Sequence, residues 1–378
     1  MKISANSIIL IKIGTSSITG GGGSIDPDSI KRLAHEIFLL TRRNIRPVLV
    51  SSGAIKAGME KLGIRKRPAK LATLQACAAA GQSALMEIYN FIFQMYKIPV
   101  AQILVTRDDF RSRDRFMNIR STIHSLLSLG CLPIINENDT VATEEIKFGE
   151  NDTLSAIAAA AVGAELLINL SDVDGLYTSD PKTDPEARLI PIVTKITPEI
   201  TALGGSSAGD MGSGGMRTKL KAALIAVSSG VNMVIAGAAE EDIITRICSG
   251  GACGTLFAAA GKPLSPKKCW MAFAAKTDGS LTVNMNAEQR IINGTSLLPV
   301  GVTKVEGIFD SGDPVDIKNE NGTVFAKGTV YYSSDELKRI MGRHTAEIKA
   351  TLGYKHYDEA VHHNNMVLTG DYLLRSKK

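Results

Sequence analysis

Lys12 lies near the end of an apolar run, Ile8 to Ile13, that opens into Gly14-Thr15-Ser16-Ser17 and then Gly20 to Gly23. A lysine emerging from a buried strand into a Gly/Ser/Thr turn suits an anion, because backbone N–H groups approach closely while the ammonium supplies charge. The pattern is neither G-x-x-x-x-G-K-[ST] nor G-x-G-x-x-G, so by itself it also reads as a solvated loop. Further on, Val48-Leu49-Val50-Ser51-Ser52-Gly53-Ala54-Ile55 passes from a strand into a helix. Ser52 and the N–H groups of Gly53 and Ala54 then stand at a helix start, placed either to cap it or to receive an anion. Two clusters of amides and carboxylates follow, Asn136-Glu137-Asn138-Asp139 and Glu150-Asn151-Asp152. Their concentration after a buried strand favours ligand binding over turn and cap chemistry alone. Ser171-Asp172-Val173-Asp174-Gly175 ends another strand, and Gly212-Ser213-Gly214-Gly215-Met216-Arg217-Thr218-Lys219 opens another helix with a glycine-rich, cation-bearing loop. Such a loop suits a polyphosphate, and taken singly it also reads as a flexible connection.

The elements that carry these loops alternate. Ile8–Ile13, Pro47–Ser51, Pro99–Leu104, Cys131–Asn136, Leu166–Leu170 and Val231–Ala236 read as buried strands. Between them, Ser29–Arg43, Leu71–Tyr96, Arg115–Leu129, Thr153–Val162 and Met216–Ser228 read as helices. This predicts an α/β fold of three layers, a mainly parallel sheet flanked by helices, with ligands at the carboxyl ends of the strands. A length of 378 residues favours two domains. After Gly261 a polar, Pro-containing connector precedes short alternating strands at Ser280–Val283, Val302–Gly307, Pro314–Lys318 and Val324–Tyr331, with a helix near Ser334–Met341. The expected division is a catalytic domain over 1–261, a linker over 262–276 and a small, mostly β domain over 277–378.

Five scattered cysteines read as buried thiols of a reducing compartment; Cys248 and Cys253, separated by Ser-Gly-Gly-Ala, are the one near pair and lack the matching second pair that a zinc site wants. The first apolar run is short and contains Lys12, unlike a signal sequence, which points to a cytoplasmic location. The uncharged stretch Ala222–Ala239 is split by Ser228-Ser229-Gly230 and reads as α/β packing, so no membrane partner is expected.

The Lys-Ile-Gly-Thr-Ser start, Ser-Ser-Gly-Ala-Ile, Ile-Asn-Glu-Asn-Asp, Ser-Asp-Val-Asp-Gly-Leu-Tyr-Thr-x-Asp-Pro and Gly-Gly-Met-x-Thr-Lys motifs, in this order, resemble the amino-acid kinase family. Arg115-Phe116-Asn118-Arg120 extends the resemblance, and the C-terminal module looks like a PUA domain. The resemblance implies ATP- and Mg²⁺-dependent phosphorylation of the side-chain carboxylate of L-glutamate, the first step of proline biosynthesis. It also implies inhibition by L-proline, assembly as a dimer or tetramer, and functional coupling to glutamyl phosphate reductase. Carried over residue by residue, Lys12, Asp152 and Lys219 match catalytic positions. Ser52, Gly53, Asn136, Asp139 and Asn151 match the substrate site. Lys12, Ser171, Asp172, Ser213, Gly214, Gly215, Met216, Arg217, Thr218 and Lys219 match the nucleotide site, and no protein cage for the metal is implied because Mg²⁺ travels on the phosphates. Glu150 departs from the family, which commonly has Asp there.

The chemistry agrees with that expectation. A glutamate side-chain carboxyl, with a pKa of about 4.3, is ionised at neutral pH and needs no general base. Positioning and charge neutralisation then carry phosphoryl transfer. Sibling kinases acting on acetylglutamate, aspartate, carbamate or UMP would share the fold and lysines, and the Asn136–Asp139 loop and C-terminal module argue against them. RNA binding through the C-terminal module is a rival from another class. From Lys262 onward, 16 Lys and Arg face 13 Asp and Glu, too small an excess to announce nucleic acid as a partner.

Overall fold

Strands built of Ile, Leu and Val with no polar alternation must be buried on both faces, and here they are. The computed structural model describes residues 2–19, 24–142, 151–205, 215–259, 264–370 and 372. Strands β1 (Ile8–Ile13), β4 (Leu132–Glu137) and β5 (Leu166–Ser171) are buried along their whole length, as expected where helices cover both faces of a parallel sheet. With β2 (Arg46–Val50), β3 (Val100–Val105), β6 (Ile192–Val193), β7 (Asn232–Gly237) and β8 (Thr255–Phe257) they form one eight-stranded sheet in the order β3-β4-β2-β1-β5-β7-β8-β6. Every neighbouring pair is parallel except β7 with β8. The strand order reverses between β1 and β5, which makes their carboxyl ends the natural ligand crevice. Lys12 pairs in register with Asn169 there.

The helices begin where the sequence supplies caps and close contacts. Helix α1 (Pro27–Arg42) starts two residues before its expected position because Asp26 accepts from the N–H groups of Asp28 and Ser29, with Pro27 at the first helical position. Helix α2 (Ala54–Lys61) lies against α3 (Leu71–Gln94) with backbones in near contact. A Cβ on Gly58 would run into the carbonyl of Cys77, and one on Gly81 into that of Ala54. Helix α4 (Arg113–Ser128) precedes β4, and α5 (Asn151–Val162) is buried from Asp152 onward. The small Ala side chains of α5 let it pack closely on α6 (Met216–Ser228). Among the described residues no helix is long and apolar enough to cross a membrane.

The chain divides into two units, Met1–Asp109 with Asp114–Ala260, and Phe110–Arg113 with Gly261–Lys378. In the second, β9 (Gly279–Val283), β10 (Val302–Gly307), β11 (Pro314–Lys318), β12 (Val324–Thr329) and β13 (Met366–Leu368) form a sheet ordered β10-β9-β11-β12-β13 around a core that includes Phe325, Tyr332 and Leu337. The stretch read as a connector carries a helix, α7 (Pro266–Phe273), which buries Cys269, Trp270 and Met271. Ser265 caps it and Pro266 occupies its first position, so the polar Ser-Pro pair is a helix start.

Candidate active site

Asp152 is the fixed point of the crevice. It stands in the first turn of α5, where the helix dipole favours an anion, and its side chain is fully buried. Lys12, reaching over from β1, places Nζ 2.8 Å from Oδ1 of Asp152, and Lys219, from the first turn of α6, places Nζ 3.8 Å from Oδ2. Both lysines are buried, at 7% and 4% exposure. Two neutral groups complete the set: Asn169 Nδ2 donates to Oδ1 at 3.0 Å and Thr218 Oγ1 donates to Oδ2 at 2.6 Å. Burial alone would lift the Asp152 carboxyl, but the ammonium charges of Lys12 and Lys219, with hydrogen bonds from Lys12 and Thr218, hold it below the usual carboxylate range. For Lys219 burial prevails and lowers the ammonium, with Lys12 acting in the same direction and Asp152 and Asp172 against it. Two buried lysines share one carboxylate, so the cluster carries an excess of positive charge in a dry place. That is an arrangement for stabilising an incoming anion.

Beside this cluster lies a second constellation. Asn151 Nδ2 donates to Ser52 Oγ at 2.8 Å and to the Ser51 carbonyl at 3.1 Å, and lies 3.5 Å from Asn136 Oδ1. Asn136 Nδ2 in turn donates to Gln82 Oε1 on α3, and its Oδ1 accepts from the Glu137 N–H. Behind Ser52, the Ser51 hydroxyl meets the buried Tyr89 hydroxyl at 2.9 Å, and burial pushes the Tyr89 phenol up to about 12. Gly53 precedes α2 with φ +99°, a left-handed conformation that favours glycine, and a Cβ there would stand 2.9 Å from Ile18 Cδ1. The Asn151 carbonyl oxygen is buried without a hydrogen-bond partner among the described residues. An orphaned acceptor of this kind fits a donor brought by a ligand.

The residues expected to bind nucleotide fall at two places. Ser171 ends β5 and donates to Asp172 Oδ1 at 3.0 Å. Gly215 precedes α6, and Met216, Arg217, Thr218 and Lys219 form its first turn, where the Thr218 and Lys219 N–H groups donate to the Gly215 carbonyl at 3.0 and 3.4 Å. Ser213 and Gly214, like Glu150, lie outside the described residues. The structure thus brings Lys12, Asp152 and Lys219 together, and separately Ser52, Asn136 and Asn151. Asp139 lies in the turn that follows β4, half-buried. Asn169, Gln82 and Tyr89 were not foreseen. Only Asn169 carries a signal in the sequence, as the single amide in the apolar run Leu166–Leu170. Among the described residues no group of three or more His, Cys, Asp or Glu side chains could hold a metal ion.

A doubly covered parallel sheet with paired lysines and two helix starts at its reversal point defines an α/β enzyme built to handle anions. The family model described as the amino acid kinase family matches residues 7–237, and the PUA domain model matches residues 279–352. The chain belongs to the amino acid kinase family. It is 44% identical over 361 residues to the glutamate 5-kinase of Geobacter sp. (strain M21), covering 95% of this chain and 97% of the relative. The glutamate 5-kinases of Caldanaerobacter subterraneus subsp. tengcongensis, at 43%, and Myxococcus xanthus (strain DK1622), at 42%, align over the same 95% of this chain and over 97% and 96% of their own lengths. A solved structure of UMP kinase from Bacillus anthracis covers 69% of this chain at 16% identity with a TM-score of 0.47.

Proposed function

We propose that this chain transfers the γ-phosphoryl group of ATP to the side-chain carboxylate of L-glutamate, giving L-glutamyl 5-phosphate and ADP, the first step of proline synthesis. The observation that carries the reading is the buried Lys12–Asp152–Lys219 cluster, in a chain whose near full-length relatives bear the name glutamate 5-kinase. The acceptor carboxylate is already ionised, so one of its oxygens attacks phosphorus while the bond from phosphorus to the β,γ-bridging oxygen breaks and ADP leaves. No proton has to move. The barrier is the approach of one anion to another, and Lys12 and Lys219 lower it by neutralising the transferring group. Asp152 keeps both ammonium groups in place without touching the reacting atoms.

Ser52, the Gly53 N–H, Asn136, Asp139 and Asn151 form the glutamate subsite in this reading, with Asp139 directed at the α-ammonium. The orphaned Asn151 oxygen supports a donor-bearing head group there. Ser171, Asp172 and the segment from Ser213 to Lys219 serve the nucleotide, whose phosphates meet the N-terminus of α6. The carboxylate at the centre is committed to two lysines, which fits a Mg²⁺ delivered on the phosphates. When bound, that ion adds positive charge to the phosphate oxygens.

Substrate choice tests the reading. ADP release is followed with glutamate, acetylglutamate, aspartate, carbamate and UMP in turn; glutamate alone is expected to support turnover, and preferred turnover of any other overturns the assignment.

A further inference from the structure

We propose that Asn169 is a positioning residue for phosphoryl transfer, its neutral amide holding the Asp152 carboxylate in the orientation that keeps Lys12 and Lys219 at the crevice. This rests on the function proposed above. Asn169 is fully buried in β5 and lies directly across from Lys12 in the β1–β5 register. Leu167, Ile168 and Leu170 around it are the residues a doubly covered strand calls for, and an amide in their midst is costly unless paired. Only half of it is paired. Nδ2 donates to Asp152 Oδ1 at 3.0 Å, while Oδ1 of Asn169 has no partner among the described residues. A side chain selected for packing would be aliphatic, and one selected to satisfy itself would use both ends, so the donated hydrogen bond is what the residue is there to make.

The arrangement around Asp152 is symmetrical in kind. Each carboxylate oxygen meets one ammonium and one neutral donor: Oδ1 has Lys12 and Asn169, and Oδ2 has Lys219 and Thr218. The lysines must turn toward the transferring group, so the neutral donors are the ones free to fix the carboxylate plane throughout the reaction. Neutrality is required as well. The ionisable groups bearing on this spot are Lys12 from β1, Lys219 from α6, Asp152 itself and Asp172 at the end of β5, whose charge reaches Lys219. A second carboxylate at position 169 would face Asp152 in a dry pocket, where two like charges raise the apparent pKa of the pair.

Two substitutions in the full-length protein test this. Asn169→Leu is expected to lower kcat by roughly tenfold, the scale of one hydrogen bond to a charged group, with KM for glutamate and ATP changed less than about twofold. Asn169→Asp is expected to lose more at pH 8 and to recover as pH falls toward 6, because the protonated carboxyl then donates to Asp152 as the amide does; the wild type gains no such limb. The melting temperature of Asn169→Asp relative to wild type is expected to rise over the same pH range. A Leu variant with wild-type kcat, or an Asp variant whose kcat and melting follow the wild type across pH, overturns the proposal. Should the wild type fail to turn over glutamate, the functional reading falls, and the melting comparison still decides whether Asn169 and Asp152 are coupled.

Discussion

Each oxygen of the Asp152 carboxylate meets one lysine, so the two cations are expected to do separate work, neither replacing the other. Lys12→Ala and Lys219→Ala are each expected to lower kcat by about 10²–10³, the effect of losing one preorganised charge-stabilising contact, roughly 2.7–4 kcal/mol. Circular dichroism spectra like the wild type's with near wild-type kcat would remove that lysine from the mechanism. Asp152 also makes a stability prediction. Its folded carboxyl is held below the ordinary value by the lysines despite burial. Its stabilisation is therefore present above the unfolded pKa of about 4 and is lost as pH falls through the lower folded value. Urea midpoints of wild type and Asp152→Asn should differ most near neutral pH and converge on acidification; a difference that is constant with pH would show that charge pairing is not the source.

At the scale of elements, α2 is held by a crossing that no side chain separates. Gly81→Ala pushes a Cβ into the Ala54 carbonyl, in the first turn of α2 and two residues from Ser52. Overpacking of this kind typically costs about 1–3 kcal/mol, and the displaced helix start should raise KM for glutamate more than KM for ATP. Equal changes in both constants would mean that α2 does not present the glutamate subsite. The six strands and five helices predicted for the sheet-bearing region recur within two residues of their expected bounds, because continuous β-branched runs and amphipathic stretches leave little choice in a doubly covered parallel sheet. The pieces that escaped notice are short. β6 has two residues and β8 three, too few to display a period, and α7 hides its start in a Ser-Pro pair that also reads as a connector. Within the site, the lysines and the Asn/Asp clusters were legible because charge and amide groups stand out after apolar strands. The partners drawn from distant turns, Gln82 and Tyr89, were not, since each sits in an ordinary helical pattern and acquires its role only when α3 is laid beside β2 and β4.

For the whole molecule, the chemistry is expected to sit within the first unit, and the second to contribute assembly or regulation rather than reacting groups. A chain ending at Ala260 should retain kcat, yet melt lower than the full-length protein, because Phe110–Arg113 belongs to the second unit and loses its packing partners. Loss of turnover by a folded truncation would place an essential group beyond residue 260. Proline shares the α-carboxylate and ammonium of glutamate and lacks its side-chain carboxylate, so it is expected to compete for the Ser52, Asn136–Asp139 and Asn151 pocket. Asp139→Ala should accordingly raise both the KM for glutamate and the proline concentration needed for half-inhibition; inhibition insensitive to glutamate concentration would demand a separate regulatory site.

In the proposed reaction an acyl phosphate forms on the glutamate side chain under the charge of Lys12 and Lys219. An acyl phosphate reacts with hydroxylamine to give a hydroxamate, so the purified full-length chain is incubated with glutamate, ATP, Mg²⁺ and hydroxylamine, and hydroxamate is measured against ADP. Glutamyl hydroxamate and ADP are expected in equal amounts with the wild type, and both nearly abolished together in Lys219→Ala. ADP released without hydroxamate, or hydroxamate formed undiminished by Lys219→Ala, would contradict this reading.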